Sequence, residues 1–417
     1  LKASPATDAL RAIGVEVAIG HDAANVGDVD MVAVSTAIPK RNVEVVTANG
    51  RSIPVLRRSE LLAAICGTRR AVAVAGTHGK TTTSSMLALV MLEAGMRPSF
   101  IIGGQVNEIG SGAAWNDGEW FVVEADESDG TFLELGAEAA IVTSVEADHL
   151  DYFGSVEAVI EAFDRFLEAV QGPTVVSADD PEAARLAEAH GALTYGFADT
   201  ADYRIVDLVS GRAGCAFAVE HMGQTLGRVE MPVAGAHNAA NACAAAAMAH
   251  ELGADFDAAV RALARFGGVA RRFEFRGERD GITFVDDYAH NPGKVRAVLA
   301  SARQGGWERL VCVFQPHLYS RTADLAGEFG SSFDDADVII VTDVYGQREQ
   351  PIPGVSGRLI VDAIKAHNPE KLIVWLPERR RLAAQVKELL QPGDLCLTLG
   401  AGDLTLLPDE IAEIDVS

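Results

Sequence analysis

The segment that most constrains this chain is an apolar strand that runs into a glycine-bracketed turn and then a helix. Ala71–Ala75 reads as the strand, Gly76-Thr77-His78-Gly79-Lys80-Thr81-Thr82 as the turn, and Thr82–Glu93 as the helix, with stop signals at Gly95 and Pro98. Glycines let backbone N–H groups close on an anion, and the N-terminus of the helix adds a favourable dipole. Lys80 can reach the outer phosphates of a nucleotide, and the Thr81 hydroxyl can ligate Mg²⁺. The spacing G-x-x-G-K-T is shorter than the common G-x-x-x-x-G-K-[ST] loop. The strand–loop–helix context therefore carries the reading more than the G-K-T triplet does.

Composition narrows the partners. The 417 residues suit two or three domains, and 48% hydrophobic with 23% charged residues is ordinary for globular domains with sizeable cores. A formal net charge of −24 repels polyanions, which argues against nucleic acid or an anionic membrane as the main partner. Cys66, Cys215, Cys243, Cys312 and Cys396 are scattered with no C-x-x-C spacing, as expected of reduced packing residues in a cytoplasmic protein. The apolar runs are of strand length, far short of the ~20 residues that span a bilayer. Membrane insertion is not expected.

Apolar runs alternate with amphipathic stretches, the pattern of an α/β protein with mostly parallel sheets. Three blocks separate. In residues 1–68, strands are expected at Asp30–Val34 and Ile53–Leu56, and a helix at Ser59–Ile65; Gly67 with Arg69-Arg70 reads as a linker. In residues 69–275, further strands are expected at Trp120–Glu124 and Ala139–Thr143, and helices at Val156–Ala169 and Asn238–Leu252. In residues 276–417, strands at Ile282–Asp286, Leu310–Phe314, Val338–Thr342, Leu372–Trp375 and Leu395–Leu399 alternate with helices, the signature of an open sheet with a crevice at its strand ends.

Polar clusters follow several of these strands. The strand Trp120–Glu124 ends in Glu124-Ala125-Asp126-Glu127-Ser128, and in phosphate-loop proteins the acid after such a strand holds Mg²⁺; Glu124 is the candidate. His149, beside Asp148 after the next strand, reads either as a further ligand or as a surface or core histidine. His237-Asn238-x-x-Asn241 opens an Ala-rich helix; its amides could serve an adenine edge or simply cap the helix. Arg271-Arg272 lies at the block border, as a phosphate clamp or a solvated pair. Asp286-Asp287-Tyr288-Ala289-His290-Asn291-Pro292 and Phe314–Thr322 sit at the ends of adjacent strands, where sites of open α/β sheets gather.

Taken together and in this order, these segments resemble the Mur ligase family over nearly the whole chain. Within it, Thr77-His78, Glu124–Gly130 and Phe314–Thr322 resemble the alanine-adding branch. Several sibling branches carry a carbamylated lysine where this chain has Phe163, fourteen residues after His149. The resemblance implies an N-terminal Rossmann-like UDP-substrate domain (1–68), a central phosphate-loop ATPase domain (69–275) and a C-terminal Rossmann-like amino-acid domain (276–417). It implies a cytoplasmic ligase of peptidoglycan synthesis, monomeric or dimeric, that uses ATP and Mg²⁺ to join L-alanine to the carboxylate of UDP-N-acetylmuramate through an acyl phosphate.

By the same resemblance, Lys80, Glu124, His149 and Arg271 are the expected catalytic groups, and Thr81, Glu124 and His149 the Mg²⁺ ligands. Residues Gly76 to Thr82, His237, Asn238, Asn241, Arg271, Arg272 and Asp286 would bind ATP. Ser35, Thr36, Asp126, Ser128, Tyr288, His290, His317, Tyr319 and Arg321 would face the other substrates. Departures from the family pattern are Ser144 for Asn, Leu318 for Arg and Asn291 for His. The Gly-rich loop that grips the UDP diphosphate is expected before Leu1, so the first domain is expected to be incomplete. A murein-peptide recycling ligase of the same family, or a nucleotide-binding homologue without activity, are the alternative readings.

Overall fold

The computed structural model describes residues 5–414 apart from residues 36, 37, 212, 213, 304 and 348. Its strands form three sheets in chain order. The first is a parallel pair, Val32–Val34 with Val55–Arg57, flanked by helices Pro5–Ala12, Val43–Gly50 and Arg58–Cys66.

The second sheet has ten strands. From edge to edge they are Gln224–Met231, Gly214–His221, Tyr203–Gly211, Leu193–Gly196, Thr174–Ser177, Ala139–Val142, Arg70–Ala75, Trp120–Glu124, Ser99–Val106 and Ser111–Ala114. Alternation sets its two faces. Along Arg70–Ala75, Val72 and Val74 enter one core, and Ala71, Ala73 and Ala75 the other. Small Ala and Val side chains let helices pack closely on both faces, so this strand lies buried at the centre of the domain. Helix Lys80–Glu93 runs buried beside the Ala-rich helix Ala236–Glu251.

The third sheet runs Glu274–Arg279, Ile282–Asp287, Asp394–Leu399, Arg309–Phe314, Val338–Val341 and Leu372–Trp375; only its first pair is antiparallel. Cores line both of its faces, one with Phe314, Phe329 and Phe333, the other with Leu382, Leu404 and Ile411.

Most expected elements lie within two residues of their predicted ends, and helix Val156–Ala169 matches at both ends. Two readings need correction. Arg69-Arg70 is not a free linker: Arg70 begins the central strand and forks onto Glu138 at 2.6 Å, while Arg69 donates to the carbonyls of Gly118 and Asn116. The central sheet also ends in an antiparallel run, Tyr203 to Met231, that sequence alternation did not reveal.

Candidate active site

The loop at the C-terminal end of Arg70–Ala75 is shaped by contacts that only glycine permits. Gly76 has φ 132°, and a Cβ there would lie 2.0 Å from Thr143 Oγ1. Gly79, at φ 81°, is the N-cap of the buried helix; a Cβ on it would meet Asn241 Oδ1 at 2.6 Å. The neighbouring strand end holds the loop in place: Thr77 N–H donates to Ser144 O at 3.0 Å, His78 N–H to Ser144 Oγ at 3.1 Å, and Glu146 N–H to Thr77 Oγ1 at 2.9 Å. Ser144, a departure from the family pattern, thus supports the loop through both its carbonyl and its hydroxyl. The His78 ring, 3.5 Å from Glu146, holds that carboxyl below its ordinary range.

Lys80 is folded back onto its own loop. Its ammonium donates to Gly76 O at 2.6 Å and to Glu127 Oε1 at 2.9 Å, and lies 2.7 Å from Glu127 Oε2. Glu127 is buried, and its Oε2 has no hydrogen bond. Thr81 donates its hydroxyl to Glu124 Oε1 at 2.9 Å, and Gly103 N–H donates to Glu124 Oε2 at 2.6 Å.

His149 adopts a left-handed backbone, φ 55°, which is uncommon for a side chain of this size. That turn aims its ring at Glu127, 3.8 Å away, and at Asp148, 3.7 Å away; among the described residues it makes no ion pair with Glu124. Ligand atoms of Asp126, Glu127 and His149 all lie within 4.8 Å of one another. Burial raises Asp126, but the Ser128 N–H at 3.0 Å and the nearby Lys80 hold it below its ordinary range. Two carboxylates and an imidazole at this spacing suit a divalent cation such as Mg²⁺. Glu127 was not among the expected site residues. Its place beyond the strand end gave no periodic signal, although it belongs to the same acidic run as Glu124.

Asn238 and Asn241 are buried on the first turns of their helix; Asn238 donates to Ala234 O at 2.7 Å, and Asn241 packs on Gly79. His237 is exposed and meets Ser301 Oγ of the third sheet's domain at 3.2 Å. A cavity of about 200 Å³ lies there, with Gly235, Ala236, Phe273, Ser301 and Trp307 in its wall.

The two arginines at the border behave differently. Arg271, with φ 62°, donates to Gly400 O at 2.6 Å and Gly402 O at 3.2 Å, and its Nε lies 3.5 Å from Asp286. Both guanidinium groups stack over Tyr288, at 4.9 Å for Arg271 and 5.7 Å for Arg272. Asp286 is fully buried and already accepts from the hydroxyls of Thr398 and Thr405. In this arrangement it braces Arg271 and ties its own strand to Thr398 and Thr405. Asp287 accepts the N–H groups of Phe273 and Ala289, and burial pushes it up to about 6.

Tyr288, His290 and His317 form a row of rings, 5.0 and 5.6 Å between centroids, and His317 stacks near Tyr345 at 6.2 Å. Arg321 lies 3.3 Å from His317 Nδ1. Burial, with Arg321 adding repulsion, lowers His317. Burial also lowers His290, to about 3. His290 Nδ1 faces Tyr288 O at 2.7 Å; a carbonyl only accepts, so Nδ1 carries the proton and Nε2 is left as an acceptor. Tyr319 packs on Gly346, and Glu349, absent from the sequence reading, takes the Ser320 N–H at 3.0 Å. Ser35 is exposed just after Val32–Val34 in the first domain. Thr36, also expected there, lies outside the described residues.

A phosphate loop, a carboxylate row behind it and a histidine-lined crevice in a second α/β domain define a nucleotide-using enzyme with two facing halves. Comparison with known proteins gives the family. The Mur ligase family catalytic domain matches residues 1–70, the Mur ligase middle domain residues 74–249, and the Mur ligase glutamate ligase domain residues 271–402. The UDP-N-acetylmuramate–L-alanine ligase of Pelotomaculum thermopropionicum is 44% identical, over 97% of this chain and 88% of its own length. Its counterpart in Saccharopolyspora erythraea is 47% identical, over 98% and 86%. The crystal structure of UDP-N-acetylmuramate-alanine ligase from Thermotoga maritima superimposes with a TM-score of 0.81 at 27% identity, covering 100% of this chain and 92% of that one. The chain belongs to the Mur ligase family.

Proposed function

We propose that this protein is an ATP-dependent ligase that joins L-alanine to the carboxylate of UDP-N-acetylmuramate. The observation that carries this reading is the loop held between Thr143, Ser144 and Asn241, with Lys80 and Thr81 facing Glu127 and Glu124. Relatives at 44% and 47% identity that carry this activity support it.

ATP lies with its phosphates along the loop Gly76 to Thr82, against the N-terminal turn of helix Lys80–Glu93, and its adenine toward Asn238 and Asn241. The muramyl carboxylate attacks the γ-phosphorus, the bond to the β-phosphate oxygen breaks, and an acyl phosphate and ADP form. Lys80 supplies positive charge where negative charge gathers on the transferred phosphoryl oxygens. The amine of L-alanine then attacks the acyl carbon, and inorganic phosphate leaves. His290 Nε2, free to accept, orients that amine, and His317 and Arg321 take the amino acid's carboxylate side. Arg271 ties the segment that joins the two domains to Gly400 and Gly402.

Thr81 and Glu124 would hold one Mg²⁺, and His149 with the Asp126 and Glu127 carboxylates a second. When bound, Mg²⁺ supplies charge neutralisation for the phosphates. The domain division at residues 68 and 275 and a cytoplasmic location, where ATP and nucleotide-linked sugars are found, are part of this reading.

Hydroxylamine trapping tests the intermediate. With ATP and UDP-N-acetylmuramate but no amino acid, a UDP-muramyl hydroxamate should accumulate. ADP formation without hydroxamate would rule out acyl-phosphate chemistry.

A further inference from the structure

Lys294 lies in the first turn of helix Pro292–Arg303, where Asn291 Oδ1 accepts its N–H at 2.9 Å. The ammonium is within electrostatic range of Asp148, Lys80, Arg272 and Glu127, so it faces the phosphate loop from the opposite domain. It is half-buried and, among the described residues, makes no hydrogen bond or ion pair. Burial lowers it, as expected of a cation without a close counter-ion. Its neighbours explain the vacancy of partners: Glu127 is already engaged by Lys80, and Asp148 by His149. A half-buried cation without an ion pair, within electrostatic range of a phosphate loop, can receive an anion that arrives with substrate.

We propose that Lys294 is a further substrate-contacting residue of the ligation, an ammonium delivered by the C-terminal domain to the γ-phosphoryl group that Lys80 grips from the other side. This rests on the ligase reading above. It also gives the C-terminal domain a direct stake in the first chemical step, in addition to holding the amino acid. A cation on each side of the transferring group stabilises charge spread over its outer oxygens.

The test compares the intact protein with Lys294→Met, which keeps the stem and removes the charge, and Lys294→Arg, which restores it. Affinities for a non-hydrolysable ATP analogue and for ADP are measured with UDP-N-acetylmuramate present, beside kcat, KM for L-alanine and the thermal midpoint. Lys294→Met should weaken the ATP analogue and kcat by about 10- to 100-fold, the range for a hydrogen bond to a charged group. ADP affinity, KM for L-alanine and the midpoint should hold, and Lys294→Arg should recover part of the loss. Unchanged kcat and analogue affinity in Lys294→Met would overturn the proposal. So would equal losses for ADP and the analogue, or a lowered midpoint with unchanged activity per folded molecule, which mark a structural lysine. If the unaltered protein itself gives no turnover, the ligase reading fails instead.

Discussion

Lys80 and Glu127 form an enclosed ion pair across the mouth of the phosphate loop, Nζ to Oε2 2.7 Å, with the side chains only 14% and 3% exposed. The pair gives each enclosed group its counter-ion. Removing one partner strands the other. Lys80→Met should therefore lose about 3 kcal/mol of stability, and adding Glu127→Gln should restore most of it. Thermal or urea unfolding of the two single variants and the double variant measures this coupling; additive losses would show that the two residues do not interact energetically. Turnover should fall at least about 100-fold in either variant that lacks Lys80.

Thr81 gives its hydroxyl to Glu124 at 2.9 Å. Thr81→Val keeps the shape and removes the hydroxyl proposed as a Mg²⁺ ligand. Titration of activity with Mg²⁺ should show the half-activating concentration rising about tenfold or more. Chelation with EDTA should stop ligation in both forms. An unchanged Mg²⁺ profile would place the ion elsewhere.

Gly76 and Gly95 separate conformational strain from steric collision. At Gly95, φ 75°, a Cβ would meet nothing within 4 Å. Gly95→Ala should cost about 1 kcal/mol, the left-handed penalty alone. At Gly76 the same atom would also lie 2.9 Å from the backbone nitrogens of Thr143 and Ser144, which cannot step aside. Gly76→Ala should cost at least about 2 kcal/mol more and abolish stabilisation by ATP. Differential scanning calorimetry with and without nucleotide compares the two.

His290 is held neutral, its pKa lowered from 6.5 to about 3 by burial. In the unfolded chain it would take up a proton near the ordinary value, so the unfolded state binds more protons between these limits. The stability it confers is complete above about pH 6.5 and is lost as pH falls toward 3. His290→Gln should flatten that part of the stability–pH curve. The His290 ring signals in an NMR titration should stay those of a neutral imidazole at pH 5; protonation there would contradict its buried, carbonyl-bound state.

The sequence made the phosphate loop and the strands of the parallel sheets legible because their signals are local: glycine spacing, apolar runs and helix stops. Val156–Ala169 was clear for the same reason, with Ser155 capping its start. The antiparallel strands from Tyr203 to Met231 were not. They mix buried Tyr203, Ile205 and Phe217 with exposed Val209 and Met222, so their alternation is broken by bulges and edges. Candidate site residues were legible where a strand end placed them, as with Glu124 and His290. Glu127, Glu349 and Lys294 became visible only when the fold brought distant segments together. The hydroxyls that Thr398 and Thr405 donate to Asp286 could not be read from its motif either, because they come from segments more than 100 residues away.

The most direct measurement is phosphate release from ATP with UDP-N-acetylmuramate and a panel of acceptors: L-alanine, glycine, L-serine, D-glutamate and a murein tripeptide. Release should depend on both UDP-N-acetylmuramate and the acceptor, and be fastest with L-alanine. Turnover with the tripeptide but none with L-alanine would make this a peptide-recycling ligase and contradict the proposed function.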